Sequence, residues 1–362
     1  MLRTLVVNAG SSTLKLSVVR PDDSVRASLT VASGDFGALQ RFCAEHGPVE
    51  ASGHRIVHGG GLFVRPVVLD DDVLSRIEAL APLAPLHQRA GVEGVRLVRR
   101  LEPDLPAVAC FDTAFHATLP EAATTYALPA TWRQNWGLRR FGFHGLSHQW
   151  ASARALELTG RPVAGSRVVV CHLGAGSSLC AVRDGRSVDT TMGFTPLEGL
   201  VMATRSGTVD PGLVLWVIRA GGLDPDEVED ALEHRSGLAG LSGTDGDMRT
   251  VMSASAAGSV DAARAVDVWL HRLRQAIAAM VAALDGLDVL VFTGGIGEHQ
   301  PELRARTVDG LGFLGLAVDR SANAAAAGDA DISAGGSGRV VVVSAREDVQ
   351  IARLVRGLLS AP

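Results

Sequence analysis

The stretch VVNAGSSTLKLSVVR, residues 6–20, decides how the fold begins. Two apolar runs flank a small-residue loop, Ala9-Gly10-Ser11-Ser12-Thr13. A glycine loop after a buried strand is the mark of a phosphate cradle, and in a Walker-type loop a helix opening on Lys-Ser/Thr follows. Here Leu14, Leu16 and Val18 alternate with Lys15, Ser17 and Val19, which is the period of a strand. The chain is therefore expected to turn back into the sheet. Such a hairpin turn can aim consecutive backbone N–H groups and serine hydroxyls at phosphate oxygens without a helix dipole. Asn8, at the end of the first run, and Lys15, just past the turn, are candidates to join it.

The pattern recurs as VVCHLGAGSSLCAVRDG, residues 169–185, with Ser11-Ser12 and Ser177-Ser178 lying 166 residues apart. A repeat of that period is about one domain long and implies a duplicated domain. Asp184-Gly185 adds a further hairpin turn. Two domains that each open with a hairpin would face a nucleotide from opposite sides, although two such hairpins could also coincide by chance. A length of 362 residues agrees with about two domains.

Other Val/Ile/Leu-rich runs end in polar or glycine loops: ASGHRIVHGGG, AVACFDTAF, DVLVFTGGIGE and RVVVVSARED. Helical periods separate them over 90–101, 147–158 and 260–284. The last puts Val266, Trp269, Leu270, Leu273, Ile277, Met280 and Leu284 on one face. Strands alternating with helices predict an α/β fold with a mostly parallel core sheet, whose ligands bind at the carboxyl ends of the strands.

Composition narrows the function. The chain is 47% hydrophobic and 20% charged with net charge −5, so it reads as globular and announces no basic face for nucleic acid. The four cysteines are scattered and read as reduced, buried thiols. No signal peptide is evident, and the longest apolar run, 276–284, is far below the ~20 residues that span a bilayer. A cytoplasmic protein acting on small molecules, without a membrane partner, is expected.

The loops hold the candidate chemistry. Arg55 in GHRIVHGGG and Arg205 in TRSGTVDPG would make an anion clamp if they converge, since the guanidinium fork suits carboxylate and phosphoryl oxygens. Asp112 ends an apolar strand, where a carboxylate can hold Mg²⁺ or cap the next helix. His144 and His148 stand at i, i+4, but the histidines are dispersed and lack the zinc pattern; His144 reads better as a donor to a charged reacting group. Gly294, Gly295 and Gly297 in VFTGGIGE allow close approach to a ligand.

Taken in order, NAGSSTLK, GHRIVHGG, LAPLH, FDTAFH, RRFGFHGLSH, HLGAGSS, GFTPLEGL, TRSGTVDP and FTGGIGE resemble the acetate kinase family over nearly the whole chain. The resemblance implies duplicated ribonuclease H-like domains around a nucleotide cleft, as in sugar kinases, actin and heat-shock ATPases. It implies ATP + acetate ⇌ ADP + acetyl phosphate with Mg²⁺, or Mn²⁺ in its place, by direct in-line transfer. Carried over by position, Arg55 and Arg205 bind the acyl carboxylate and the phosphoryl group in flight, and His144 stabilises that group. Asp112 and Glu347 organise the metal with Asn8, while Ser11, Ser12, Lys15, His172, Gly174 and Gly176 surround the phosphates. Val57, Leu86, Phe143 and Pro196 match the pocket for the acetate methyl; Asp247, Arg249, Gly295, Ile296 and Gly297 fall where the family binds adenosine.

The sequence departs from the family pattern in places. Ala175 stands where the second hairpin usually has Asn, which predicts altered nucleotide contact rather than lost activity. Met248 replaces an aromatic, His299 replaces an Asn, and the C-terminal Thr-Asn-Glu-Glu reads Ala345-Arg346-Glu347-Asp348, leaving Glu347 and Asp348 as rival metal ligands. The resemblance also predicts a domain of residues 1–148 plus 347–362, a second of 149–346, and a homodimer formed through the 260–284 region. Propionate or butyrate kinase is the near alternative. A nucleotide-dependent switch is the distant one, and it would need no arginine pair for a carboxylate.

Overall fold

The first apolar run is a strand buried along its whole length, β1 (Thr4–Ala9), and the chain does return antiparallel to it as β2 (Thr13–Val19). A computed structural model describes residues 2–10, 13–32 and 35–360, without the side chains of residues 36 and 85–87. It divides into two compact units. One comprises Met1–Ala117, Phe143–Trp150 and Arg346–Pro362; the other comprises Thr118–Gly142 and Ala151–Ala345.

The first unit continues with β3 (Val25–Ala32), β4 (Ala51–Ile56), β5 (Val67–Val68) and β6 (Ala107–Phe111), in the sheet order β3-β2-β1-β4-β6-β5. The second holds β7 (Arg167–Leu173), β8 (Ser177–Arg183), β9 (Arg186–Thr190), β10 (Val289–Thr293), β11 (Ala330–Asp331) and β12 (Arg339–Val342), in the order β9-β8-β7-β10-β12-β11. Adding six to each strand number converts one order into the other. The directions match as well: β1–β4, β4–β6, β7–β10 and β10–β12 are parallel, and the remaining ladders are antiparallel. The echo of two hairpins thus extends to twelve strands, and the fold is a duplicated α/β unit of the ribonuclease H type. The expectation of a mostly parallel sheet needs correction. Only the three central strands of each sheet run parallel, because each copy opens with a meander of short turns that can join only antiparallel neighbours.

Local chemistry explains the elements. β1, β6 and β10 are buried at every residue and are apolar except at their ends, as interior strands are. Asp184 (φ 53°) and Gly185 (φ 73°) form the two-residue turn between β8 and β9. The helix Val260–Leu284 is N-capped by Ser259, and its predicted apolar face is buried against its own sheet. That face is therefore not available to a partner chain.

In the first unit the helix Glu347–Leu359 packs on β1 and β4, where a Cβ on Gly53 would stand 2.5 Å from Ile351 Cγ2. Alternation along a strand puts Arg55 on the same face as Gly53, facing the helix that begins at Glu347. The segment Thr118–Gly142, expected in the first domain, belongs to the second unit. Thr118 Oγ1 donates to Ser187 O, and Phe141 N donates to Gly193 O.

Candidate functional site

The parallel register brings three polar residues to one end of the first sheet. Val7 pairs with His54, so Asn8 and Arg55 follow side by side; Ile56 pairs with Phe111, and Asp112 comes next, its N–H on Ile56 O at 3.0 Å. Arg55 Nε donates to both Asp112 oxygens (3.0 and 3.1 Å), and Nη2 donates to Oδ2 at 2.6 Å. Arg55 Nη1 donates to Asn8 Oδ1 at 3.2 Å, and Asn8 Nδ2 donates to Glu347 Oε2 at 2.7 Å. The result is a continuous chain, Glu347–Asn8–Arg55–Asp112. Asp112 is 1% exposed and Asn8 7%.

Two carboxylates here face one guanidinium. Burial, aided by Glu347, pushes the Asp112 carboxyl up against the pull of Arg55. Burial also opposes the charge on Arg55, but Asp112 and Glu347 more than offset it, and the guanidinium stays protonated. An all-oxygen donor set with excess negative charge fits Mg²⁺, which takes one or two carboxylates and completes its shell with waters and substrate phosphates. Asp112 keeps lone pairs for this even while Arg55 holds it. Among the described residues no group of three or more His, Cys, Asp or Glu forms a metal cage. The rival ligand Asp348 turns instead to Arg346, whose Nε donates to it at 3.0 Å.

Asp112 also fixes the segment after it. Gly145 N donates to Asp112 O at 2.9 Å, the His144 N–H reaches the Asp112 carboxyl, and His116 Nε2 lies 2.9 Å from Phe143 O. A Cβ at position 145 would fall 2.1 Å from Asp112 O, so only glycine permits the approach. His144 is held at φ 55°, a left-handed conformation that costs a residue with a Cβ about 1–2 kcal/mol. Strain of this kind persists where the surroundings over-determine it, often at functional sites. Burial lowers His116 to about 4, so its ring is neutral. The Phe143 ring meets His58 edge-on at 5.4 Å and is 1% exposed; Val57 is 5% exposed. Gln88, buried, bonds both the N–H and the C=O of His58 and pins this loop to the helix Pro85–Leu101. Lys15 pairs with Asn8 in the antiparallel ladder, sharing its face, and is exposed. Ser11, Ser12 and the side chain of Leu86 lie outside the described residues.

In the second unit, His172, the last residue but one of β7, pairs with Thr293, the last residue of β10. The hairpin turn is Gly174-Ala175-Gly176, and Ser177 Oγ closes it onto Gly174 O at 3.2 Å. The paired serines of this copy therefore stand in the strand, not in the turn. Ala203 N donates to Ala175 O at 3.1 Å, tying the turn to the loop that carries Arg205. Arg205 Nε meets Glu233 Oε2 at 3.0 Å.

The adenosine candidates are spread along short helices. Gly294–His299 is helical; Gly295 has open space around it, Ile296 packs against the core, and Gly297 lies against Phe292. Asp247 caps the helix Met248–Ala256 and pairs with exposed Arg249 (2.6 Å), which holds the Asp247 carboxyl down at about 2. Met248, which replaces an aromatic of the family pattern, is 3% exposed within the hydrophobic core. Pro196 is half-buried in the loop after β9, and His299 is exposed. Sequence reasoning missed Gln88, Glu198 and Glu233. A polar side chain that acts across a fold leaves no local signal.

Residues 37–353 match the model of the acetokinase family. A protein named acetate kinase from Nostoc punctiforme is 44% identical over 354 residues, covering 96% of this chain and 86% of that protein. One of the same name from Synechococcus sp. is 48% identical over 324 residues, covering 89% and 79%. Among solved structures, Porphyromonas gingivalis acetate kinase superposes with a TM-score of 0.91 at 33% identity, over 99% of this chain and 100% of that one. A propionate kinase from Francisella tularensis superposes at 0.90 with 34% identity, over 98% and 99%.

Proposed function

The chain belongs to the acetokinase family, and on that premise we propose how its residues carry the acetate kinase reaction. The activity is that of a phosphotransferase, ATP + acetate ⇌ ADP + acetyl phosphate. The observation that carries the residue assignment is the partly buried chain Glu347–Asn8–Arg55–Asp112.

Acetate is ionised at pH 7 and is already a nucleophile. Catalysis is then positioning and charge neutralisation, with no general base required. Arg55 and Arg205 hold the acyl carboxylate and the phosphoryl group during direct in-line transfer. Each is aimed by one carboxylate, Asp112 or Glu233. His144, its backbone locked by Asp112, donates to the transferring group. Asn8, Asp112 and Glu347 would hold Mg²⁺ or Mn²⁺, which would supply charge neutralisation at phosphate oxygens. Lys15, the two serines of the first turn, and His172, Gly174 and Gly176 of the second copy contact the nucleotide phosphates. Asp247, Arg249 and Gly295 to Gly297 take the adenosine. Val57, Leu86, Phe143 and Pro196 enclose the acetate methyl.

The likeness to a solved propionate kinase supports a second reading, transfer to propionate. One methylene in an apolar pocket discriminates only about 10–200-fold. Self-association as a homodimer is supported by the helix Pro211–Arg219, which buries none of its residues and exposes Leu213, Leu215 and Trp216. Among the described residues no helix is long and apolar enough to cross a membrane, and a cytoplasmic location is the reading that goes with small-molecule substrates. Hydroxylamine trapping tests the reaction: with ATP, Mg²⁺ and acetate the protein should yield acyl hydroxamate, more than with propionate. No hydroxamate at high concentration of either acid would sink the assignment.

A further inference from the structure

A second, half-buried network, apart from the one at the first sheet's end, surrounds the loop that follows β9. Glu198 lies at its centre. Tyr126, the chain's single tyrosine, donates its hydroxyl to Glu198 Oε2, and that hydroxyl accepts from Phe194 N at 2.9 Å. Arg140 Nη2 donates to Glu198 Oε1 at 2.7 Å. Arg140 Nη1 sits among three successive carbonyls, Thr190, Thr191 and Met192, at 3.2, 3.1 and 3.0 Å. The guanidinium also lies over the Tyr126 ring, 5.6 Å from its centroid. Phe141 N and Gly142 N both donate to Gly193 O, at 3.0 and 3.3 Å. A Cβ on Gly193 would stand 1.8 Å from Glu198 Oε2 and 2.2 Å from the Tyr126 hydroxyl, so the loop closes directly onto the pair.

The network joins two segments far apart in sequence. One is the loop 190–198, which carries Pro196. The other is 126–142, which runs on within two residues to Phe143 and His144. Burial pushes the Tyr126 hydroxyl up, and Glu198 pushes it further, so it remains a donor. Glu198 is half-buried and fully engaged by Tyr126 and Arg140, and neither of these belongs to the proposed catalytic set. Apart from Thr190, the last residue of β9, neither segment is helix or strand at the joint, so the side chains must hold it.

We infer that Glu198, bracketed by Tyr126 and Arg140, is a positioning residue for the acyl site and sets the acetate-to-propionate preference through the placement of Pro196. The inference rests on the reading that Pro196 lines the acyl pocket. Tyr126→Phe removes both hydrogen bonds of the Tyr126 hydroxyl, to Glu198 Oε2 and from Phe194 N, and keeps the ring and the Arg140 contacts. The loss of these two hydrogen bonds in such a network should raise KM for acetate about tenfold and narrow the acetate-to-propionate ratio of kcat/KM. KM for ATP should stay within about twofold of the parent value, since no transferring or nucleotide contact is lost. Pro196→Ala, measured alongside, separates the inference from its premise. If Pro196→Ala shifts acetate KM and Tyr126→Phe does not, the bracket is structural only and the inference fails. If neither shifts it, the pocket reading fails and takes the inference with it. Parallel rises in both KM values with a lower Tm would also overturn it. Should Tyr126→Phe not fold, Glu198→Gln, which keeps the shape and loses the charge, is judged by the same ratio.

Discussion

At the carboxyl end of the first sheet stand Asn8, Arg55 and Asp112; at the matching positions of the second stand His172, Thr293 and Ala345. The match follows from register. The β1–β4 ladder opens at Thr4 and Ala51, the β7–β10 ladder opens at Val168 and Val289, and Asn8, Arg55, His172 and Thr293 are each fifth from those starts. Duplication therefore supplied one scaffold twice, while the ends of the strands diverged. The first copy gathered two carboxylates and a guanidinium, with Glu347 returning on the C-terminal helix. The second copy has no carboxylate at these positions and used glycine turns instead. A charge-bearing end suits chemistry on a phosphoryl group, and a neutral, backbone-rich end suits holding a nucleotide.

One substitution at each strand end should break this symmetry most visibly. Asp112→Asn leaves Arg55 without its charged guide and loosens the His144 segment. It should lower kcat by about 10²–10³-fold, or about 3–4 kcal/mol in the barrier. Thr293 is buried with its hydroxyl unbonded. A buried hydroxyl without a partner costs about 1–3 kcal/mol, so Thr293→Val should leave turnover within about threefold and hold or raise Tm. Steady-state kinetics and thermal melts on the two variants decide it. Equal losses of turnover would mean that the two ends share the chemistry.

A smaller effect is expected from the carboxylates that open the C-terminal helix. Glu347→Gln should raise the Mg²⁺ concentration for half-maximal activity about tenfold. Asp348→Asn should change it little, because Asp348 is held by Arg346. A Mg²⁺ titration of both variants gives the answer, and the reverse pattern would move the metal site to Asp348.

These predictions rest on contacts that were unevenly legible in the sequence. The hairpins and the polar strand ends were visible because glycine turns and buried runs are local. Glu347 could be narrowed only to one of two neighbours, since helix phase depends on packing against β1. The assignment of 118–142 to the second unit depends on bonds such as Phe141 N to Gly193 O, which no period reveals. Met248 was legible as a departure from the family pattern, but its burial in the core was not. Arg205 was visible in its glycine loop, whereas its partner Glu233 belongs to an ordinary amphipathic helix.

Acid should also tell the units apart. His54 and His116 are both in the first unit, and burial depresses them to about 3 and about 4 from an ordinary 6.5. A histidine depressed by folding stabilises the native state above its unfolded pKa, and that contribution is lost as pH falls below it. His116 alone contributes on the order of 3 kcal/mol across this window. Between pH 6.5 and 4, hydrogen exchange should lose protection in the first unit before the second. Loss in the opposite order would contradict this.

The central claim is that the charged end of the first sheet carries out phosphoryl transfer. Its most direct test is Arg55→Ala, assayed for acyl hydroxamate formation and titrated with ADP in the same preparation. Loss of an arginine from a phosphoryl-transfer site is worth about 10³–10⁵ in rate, so turnover should fall by at least about 10³-fold, with ADP affinity within about threefold of the parent. Near-normal turnover in a folded, ADP-binding Arg55→Ala protein would contradict the account.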